Sequence, residues 1–151
     1  MAWQIQCSDE TCGQSTWASE IVDLISNHRN DEGFFLCACG KKGYIYKSFK
    51  LQEKGLIWEP YLIGAIPLGY EGESYQPFAF LVSSKSNTPA DSVWLSYYKD
   101  LREEGGVLKL GYGPGGPPVL EKEMLLGLLQ HLKHVNLITV ADLEGLLNSN
   151  N

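Results

Sequence analysis

Four cysteines carry the clearest chemistry in this sequence: Cys7, Cys12, Cys37 and Cys39. They fall into two short groups, Cys7-x4-Cys12-Gly13 and Cys37-x-Cys39-Gly40. Each group follows apolar residues suited to a strand, and each ends in Cys-Gly before a segment able to return as a second strand. A cysteine pair at a tight hairpin turn places two sulfurs on one side. A glycine just after the second cysteine accepts backbone conformations that a Cβ hinders. Two such corners facing each other provide four thiolates, the donor set of a closed tetrahedral structural zinc site. With every position held by sulfur, no site remains for water or substrate, so Lewis-acid catalysis is not its chemistry. The competing readings are four ordinary buried thiols, one or two disulfides, or iron in place of zinc. The opening residues show no secretion signal, which argues against a stable disulfide framework. His28 is an alternative ligand, although its place at the end of an apolar helical stripe suits packing better.

A second group of residues follows the last cysteine. Lys41, Lys42, Lys47, Lys50 and Lys54 stand against a single acid, Glu53, and Tyr44, Tyr46 and Phe49 are interleaved with them. Such a segment can offset the negative charge of a thiolate cluster, or it can meet a phosphate backbone while its aromatic rings stack on bases. The whole chain carries 18 acidic and 12 basic residues for a net charge of -6, which disfavours nucleic acid as the partner. Only two arginines occur, Arg29 and Arg102, and arginine is the usual residue for bidentate phosphate or guanine contacts. A solvated strand face with lysine edge protection is the ordinary alternative.

A third candidate is the loop Gly111-Tyr112-Gly113-Pro114-Gly115-Gly116-Pro117-Pro118. A Gly-rich loop before a helix can cradle an anion. This one lacks the Lys-Ser/Thr ending of a P-loop, and its prolines remove backbone donors. It reads as a shaped loop for a ligand or a protein partner, or as the rim of a small enzyme's pocket. His131 and His134 are spaced to be neighbours on a helix, but no Glu-x-x-His pattern joins them, so they read as surface residues. No nucleophile elbow and no acid-base pair can be placed by spacing, so no catalytic residue is assigned.

The elements that must position these groups follow from periodicity. Trp3, Ile5 and Cys7 alternate with polar residues as a half-buried strand does, and residues 14–17 suit the partner strand. Ser19 is placed to cap a helix whose apolar stripe is Ile21, Leu24, Ile25 and His28, widened by Val22. The run 34–36 forms a strand, the second cysteine pair turns it, and 43–49 returns. These first 50 or so residues resemble the zinc-ribbon and treble-clef group of small zinc modules. The resemblance implies that Cys7, Cys12, Cys37 and Cys39 are ligands and that the turns around them are zinc knuckles. A knuckle in that group commonly separates its cysteines by about two residues, where this sequence has four and one.

Beyond a boundary near residues 54–59, the ranges 61–66 and 75–83 suit a long hairpin. Thr88-Pro89-Ala90-Asp91 carries the marks of a helix start, with a cap, a proline at the first position and an acid at N3. Trp94, Tyr97, Tyr98 and Leu101 would be its buried stripe, with Lys99 and Asp100 outward, and Gly105-Gly106 its stop. The range 107–110 reads as a short strand. Pro118 can begin a helix bearing Leu120, Met124, Leu125, Leu128, Leu129 and Leu132, with Gly127 marking close packing. Thr139, with Asp142 at N3, begins a last helix bearing Val140, Leu143, Leu146 and Leu147.

The expected architecture is α+β. N-terminal zinc-knuckle hairpins surround one helix, and a short antiparallel sheet packed with three helices follows. Residues 1–54 form the zinc-binding module and 55–151 an α+β domain able to share its core. At 151 residues and 44% apolar content the chain can bury such a core. No targeting segment and no apolar run near the ~20 residues of a bilayer span are visible, so the expected location is the cytoplasm. The expected cofactor is structural zinc, and the expected partner is another protein or a second copy. Exposure of Leu125, Leu129 and Leu132 would supply the contact surface.

Overall fold

Alternating apolar residues at the N-terminus and unbroken apolar runs in mid-chain generate a sheet that is half-covered at one end and covered on both faces at its centre. The computed structural model describes residues 2–46, 49–51, 56–70, 73–86, 89–111 and 118–149, with 49–51 and 56–58 as backbone. The strands are β1 (Trp3–Cys7), β2 (Thr16–Ala18), β3 (Gly43–Tyr46), β4 (Phe49–Leu51), β5 (Leu56–Trp58), β6 (Tyr61–Pro67), β7 (Tyr75–Ser83), β8 (Ser92–Asp100) and β9 (Leu108–Gly111). The helices are α1 (Ile21–Asn27), α2 (Lys122–His134) and α3 (Val140–Asn148). Seven strands form one antiparallel sheet in the order β2-β1-β3-β6-β7-β8-β9, and β4 with β5 makes a separate hairpin.

β6 and β7 are buried over nearly their whole length and pair from Tyr61↔Ser83 to Pro67↔Phe78. Successive residues of a strand point to opposite faces. Phe78, Phe80 and Val82 therefore enter one core, with Trp3, Ile5, Phe35, Ile45 and the α1 residues Ile21, Leu24 and Ile25. Ala79 and Leu81 enter the other, with Ile63, Ile66 and the α2 residues Leu128 and Leu132. The expected α+β class is present, with α1 beside the N-terminal hairpin and α2 and α3 after the sheet.

The expected helix from Pro89 is absent, and that stretch is the strand β8. It pairs with β7 from Tyr75↔Lys99 to Val82↔Ser92. The stretch Ser-Val-Trp-Leu-Ser-Tyr-Tyr is rich in β-branched and aromatic residues, which fit a pleated surface better than a helix. Trp94 packs 5.6 Å from Phe80 and Tyr98 6.1 Å from Phe78, between ring centroids, so cross-strand pairs supply the contacts expected of a helical stripe. Asp91 accepts hydrogen bonds from the Ser84 amide at 2.9 Å and the Ser92 hydroxyl at 2.8 Å, and so fastens the β7–β8 connection instead of capping a helix. Gly105, in the left-handed conformation at φ 79°, ends a single 3-10 turn, Arg102–Glu104, that leads into β9. The second part of the chain thus has two α-helices among the described residues, not three.

Smaller differences also have local causes. Glu20, not Ser19, is the N-cap of α1; the Ser19 amide instead donates to the Asp23 carboxylate at 2.8 Å. Residues 34–36 make only single bridges, to Gly64, Arg29 and Lys42. The helix expected from Pro118 begins at Lys122. A Cβ at Gly127 would meet nothing within 4 Å, so no close packing explains that glycine. The last helix has the expected capping box, with Thr139 and Asp142 bonded reciprocally.

Phe80 is fully buried, with its ring 5.9 Å from Trp3, 6.5 Å from Phe35 and 5.0 Å from Phe78. It joins the N-terminal strands to the central hairpin. Phe80→Ala should lower the unfolding free energy by about 3–5 kcal/mol in urea titrations followed by circular dichroism.

Candidate metal centre

β1 carries Cys7 to its last position, opposite Gly43 on β3. The chain then turns through Asp9, whose Oδ1 accepts from the Thr11 amide at 2.9 Å and the Thr11 hydroxyl at 2.6 Å. The Cys12 amide donates to the Asp9 carbonyl at 3.0 Å. This Asx-type turn returns Cys12 toward Cys7 despite the four intervening residues. The second pair sits on a tighter turn closed by the Leu36↔Lys42 bridge. There the Cys37 amide donates to the Lys41 carbonyl and the Gly40 amide to the Cys37 carbonyl, both at 2.8 Å. Gly40 adopts φ 87°, a conformation that L side chains rarely take, so the glycine requirement read from sequence holds at this turn. Gly13 has no such constraint, and a Cβ there would meet nothing within 4 Å.

Two side chains lock the turns together. Lys41, next to the second pair, forms an ion pair with Asp9 of the first. That ammonium, with the two Thr11 hydrogen bonds, holds the Asp9 carboxyl well below the usual carboxylate range. Thr16 at the start of β2 accepts from the Ala38 amide at 2.8 Å and donates to Cys37 Sγ at 3.5 Å. Sequence reasoning missed Asp9 and Thr16 as positioning residues. Asp-x-Thr inside the first turn was a readable Asx signal, whereas Thr16 meets Cys37 only through the fold.

The four sulfurs lie within 4.8 Å of one another. Cys7 and Cys39 are 3.6 Å apart and Cys12 and Cys37 are 3.8 Å apart. All four are free thiols, and those separations are far beyond the ~2.05 Å of a disulfide. A metal bound tetrahedrally at ~2.3 Å from each sulfur requires sulfurs about 3.8 Å apart. The cluster therefore has the donor set and the dimensions to hold a metal ion. Cys37 is buried, Cys7 and Cys12 are half-buried, and Cys39 faces solvent.

The thiols differ in acidity. The Cys39 amide and the Thr16 hydroxyl favour the Cys37 thiolate and bring it down to about 6. The Asp9 amide favours the Cys7 thiolate, but loss of water and the adjoining Cys39, Cys12 and Cys37 sulfurs outweigh it and push Cys7 up to about 12. The Gln14 amide acts likewise at Cys12, where burial and the Cys39 and Cys37 sulfurs still raise the net value.

The other sequence candidates are placed elsewhere. His28 is outside the cluster, with Nε2 3.5 Å from the Asp23 carboxylate. Lys42 lies over the Phe34 ring at 4.0 Å, and Tyr44 and Tyr46 each sit 5.4 Å from the Tyr61 ring. A hydrogen bond to Glu59 holds the Tyr46 hydroxyl above its ordinary value. Lys47 and Lys54 lie outside the described residues, and Lys50 is on β4. Gly111 ends β9 against the Tyr97 ring, while Tyr112, Gly113, Gly115 and Gly116 lie outside the described residues. His131 Nε2 is 2.6 Å from the Glu32 carbonyl, and its ring is 6.3 Å from that of His134. Of the three leucines whose exposure would supply a contact surface, Leu125 and Leu129 are exposed and Leu132 is buried. Among the described residues no helix is long and apolar enough to cross a membrane.

No protein-family model, curated protein or solved structure matches this chain.

Gly43 makes the site sensitive to one methyl group. A Cβ there would lie 2.5 Å from Ile5 Cγ2 and 2.7 Å from the Gln6 carbonyl, so β1 and β3 would separate next to Cys7. Gly43→Ala should cost about 1–3 kcal/mol in urea unfolding, whereas Gly13→Ala should change stability by less than about 0.5 kcal/mol.

Proposed function

We propose that this chain is a zinc-binding protein whose four-cysteine site is structural, and that its remaining surface makes protein contacts. The observation that carries the reading is the meeting of Cys7, Cys12, Cys37 and Cys39, 25 to 32 residues apart across the cluster, at sulfur separations of 3.6 and 3.8 Å. Soft thiolate donors suit zinc or iron, and a closed four-sulfur set suits a structural ion. The Cys37–Gly40 corner resembles a zinc knuckle of the zinc-ribbon and treble-clef group. The ion would join β1 and the first turn to the second turn, and so fix residues that otherwise depend on the Asp9–Lys41 pair and the Thr16 bridge. Lys41 also lies close enough to Cys39 and Cys7 to be influenced by their charge, which offsets part of a thiolate cluster's negative charge. The contact role rests on the apolar side chains that α2 and α3 leave exposed.

The deciding measurement is metal content and free-thiol count on protein purified without added metal. One zinc per chain is expected. Its removal by a chelator should lower the melting temperature and speed amide exchange at residues 7–16 and 37–43, with β6 to β8 protected longest. Iron at the same stoichiometry would change the ion and keep the site. Metal-free protein with four reactive thiols and unchanged exchange would overturn the reading.

Acid should also release the ion. The bound form requires thiolates, so protons compete with zinc and affinity must fall as pH falls. Cys7 and Cys12 are raised above the ordinary thiol value and carry protons near neutrality, whereas Cys37, near 6, is already mostly thiolate. Zinc uptake near pH 7 should therefore release at least the Cys7 and Cys12 protons. Calorimetry in buffers of different ionisation enthalpy counts them.

A further inference from the structure

α2 buries Leu128 and Leu132 against the central hairpin but leaves Leu125, Leu126 and Leu129 exposed. α3 buries no side chain at all, and its Val140, Leu146 and Leu147 are 51%, 68% and 78% exposed. α3 has only 9 residues, and isolated helices shorter than ~12–15 residues are marginal in water. Its capping box favours the helix, while Gly145 inside it disfavours the helix by a similar amount. Local terms therefore leave α3 short of what a surface helix ordinarily gains from packing an apolar face.

The charges around the two faces are complementary. At ~100° per residue, Val140, Leu143, Leu146 and Leu147 occupy an arc of about 120° on α3. Asp142 borders one edge of that arc and Glu144 the other, and α3 has no basic residue. On α2, Leu125, Leu126 and Leu129 share an arc of about 100° with Lys122 and Lys133. Among the described residues Lys122, Lys133 and Glu144 enter no ion pair. The connection between α2 and α3 is itself fixed on the second core. Val135, Leu137 and Ile138 of the connection pack against the second core, Asn136 turns the chain at φ 60°, and the Leu137 amide donates to the Leu132 carbonyl at 2.9 Å.

We propose that α3 of one chain docks on the Leu125–Leu129 face of α2 in a second copy, and that a two-fold axis repeats the contact. This deepens the protein-contact part of the proposed function and is independent of the metal. The chain already carries both halves of a matched pair, one apolar face edged with acid and one that carries base within its arc. An isologous dimer satisfies both at once and leaves neither open for further growth. Zinc at the four cysteines and this contact lie on different elements.

Sedimentation equilibrium over low to high micromolar protein, in physiological salt, tests it. The wild-type chain should form a dimer. Leu146→Glu with Leu147→Glu, and separately Leu125→Glu with Leu129→Glu, should each weaken dimerisation by at least about tenfold. All four positions are exposed, so the far-ultraviolet circular dichroism of both variants should keep the sheet signal and their metal content should not change. The decisive measurement mixes the two variants, because one keeps an intact α2 face and the other an intact α3 face. The mixture should recover a heterodimer through the single intact contact. A mixture that stays monomeric overturns the α2–α3 arrangement, and a wild-type chain monomeric at every concentration overturns the second copy as the partner. In that last case, binding of a hydrophobic dye that Leu146→Glu with Leu147→Glu abolishes would leave the face to a different protein. No dye binding would overturn the protein-contact reading as well.

Discussion

The antiparallel pair β6–β7 is apolar on both faces, and the rest of the fold answers that constraint. Antiparallel sheets commonly leave one face to water. Here Phe78, Phe80 and Val82 require a cover on one side and Ala79 and Leu81 on the other, so α1 and the N-terminal hairpin pack on the first face and α2 on the second. The candidate metal centre inherits its position from the same pair. The Phe35 amide donates to the Ile63 carbonyl at 3.0 Å and the Ala65 amide to the Gly33 carbonyl at 2.8 Å, which lays residues 33–36 along β6. A Cβ at Gly64 would collide with the Gly33 carbonyl, so this approach depends on a glycine in the strand. The second cysteine turn projects from the end of that segment.

The cysteine turns depend on each other through more than sulfur. Asp9 shapes the first turn and pairs with Lys41 beside the second, while Thr16 links β2 to Cys37 and Ala38. An exposed ion pair such as Asp9–Lys41 contributes little by itself. Its importance lies in orientation, because it spans the gap that four converging thiols would otherwise have to close alone. The differing acidities of the thiols have the same origin. Cys37 receives the Cys39 amide and the Thr16 hydroxyl, whereas at Cys7 and Cys12 an amide hydrogen bond is outweighed by the sum of lost water and neighbouring sulfurs.

At the opposite end of the chain the balance reverses. α2 contributes two leucines to a core and presents three more outward, and α3 contributes none. The helical periodicity of both segments is strong in sequence, but periodicity records only that an apolar face exists. What the face covers is a property of the assembled surface.

The sequence by itself determined the sulfur donor set and much of the local structure. Four cysteines in two Cys-Gly corners, the alternation in β1, the long central hairpin and the Thr139–Asp142 capping box are all encoded within a few residues of one another, so short-range rules read them. The tertiary structure decided three things those rules could not reach. It made Pro89-Ala90-Asp91 the approach to a strand, with the expected cap Thr88 outside the described residues, because the residues that follow gain more from pairing with β7 than from a helical stripe. It brought Thr16 to Cys37, two residues that local sequence does not connect. It also buried Leu132 while leaving Leu125 and Leu129 in water. Each outcome depends on which distant surface a segment meets, and that partner is set by the two-faced burial of β6 and β7 and not by the segment's own periodicity.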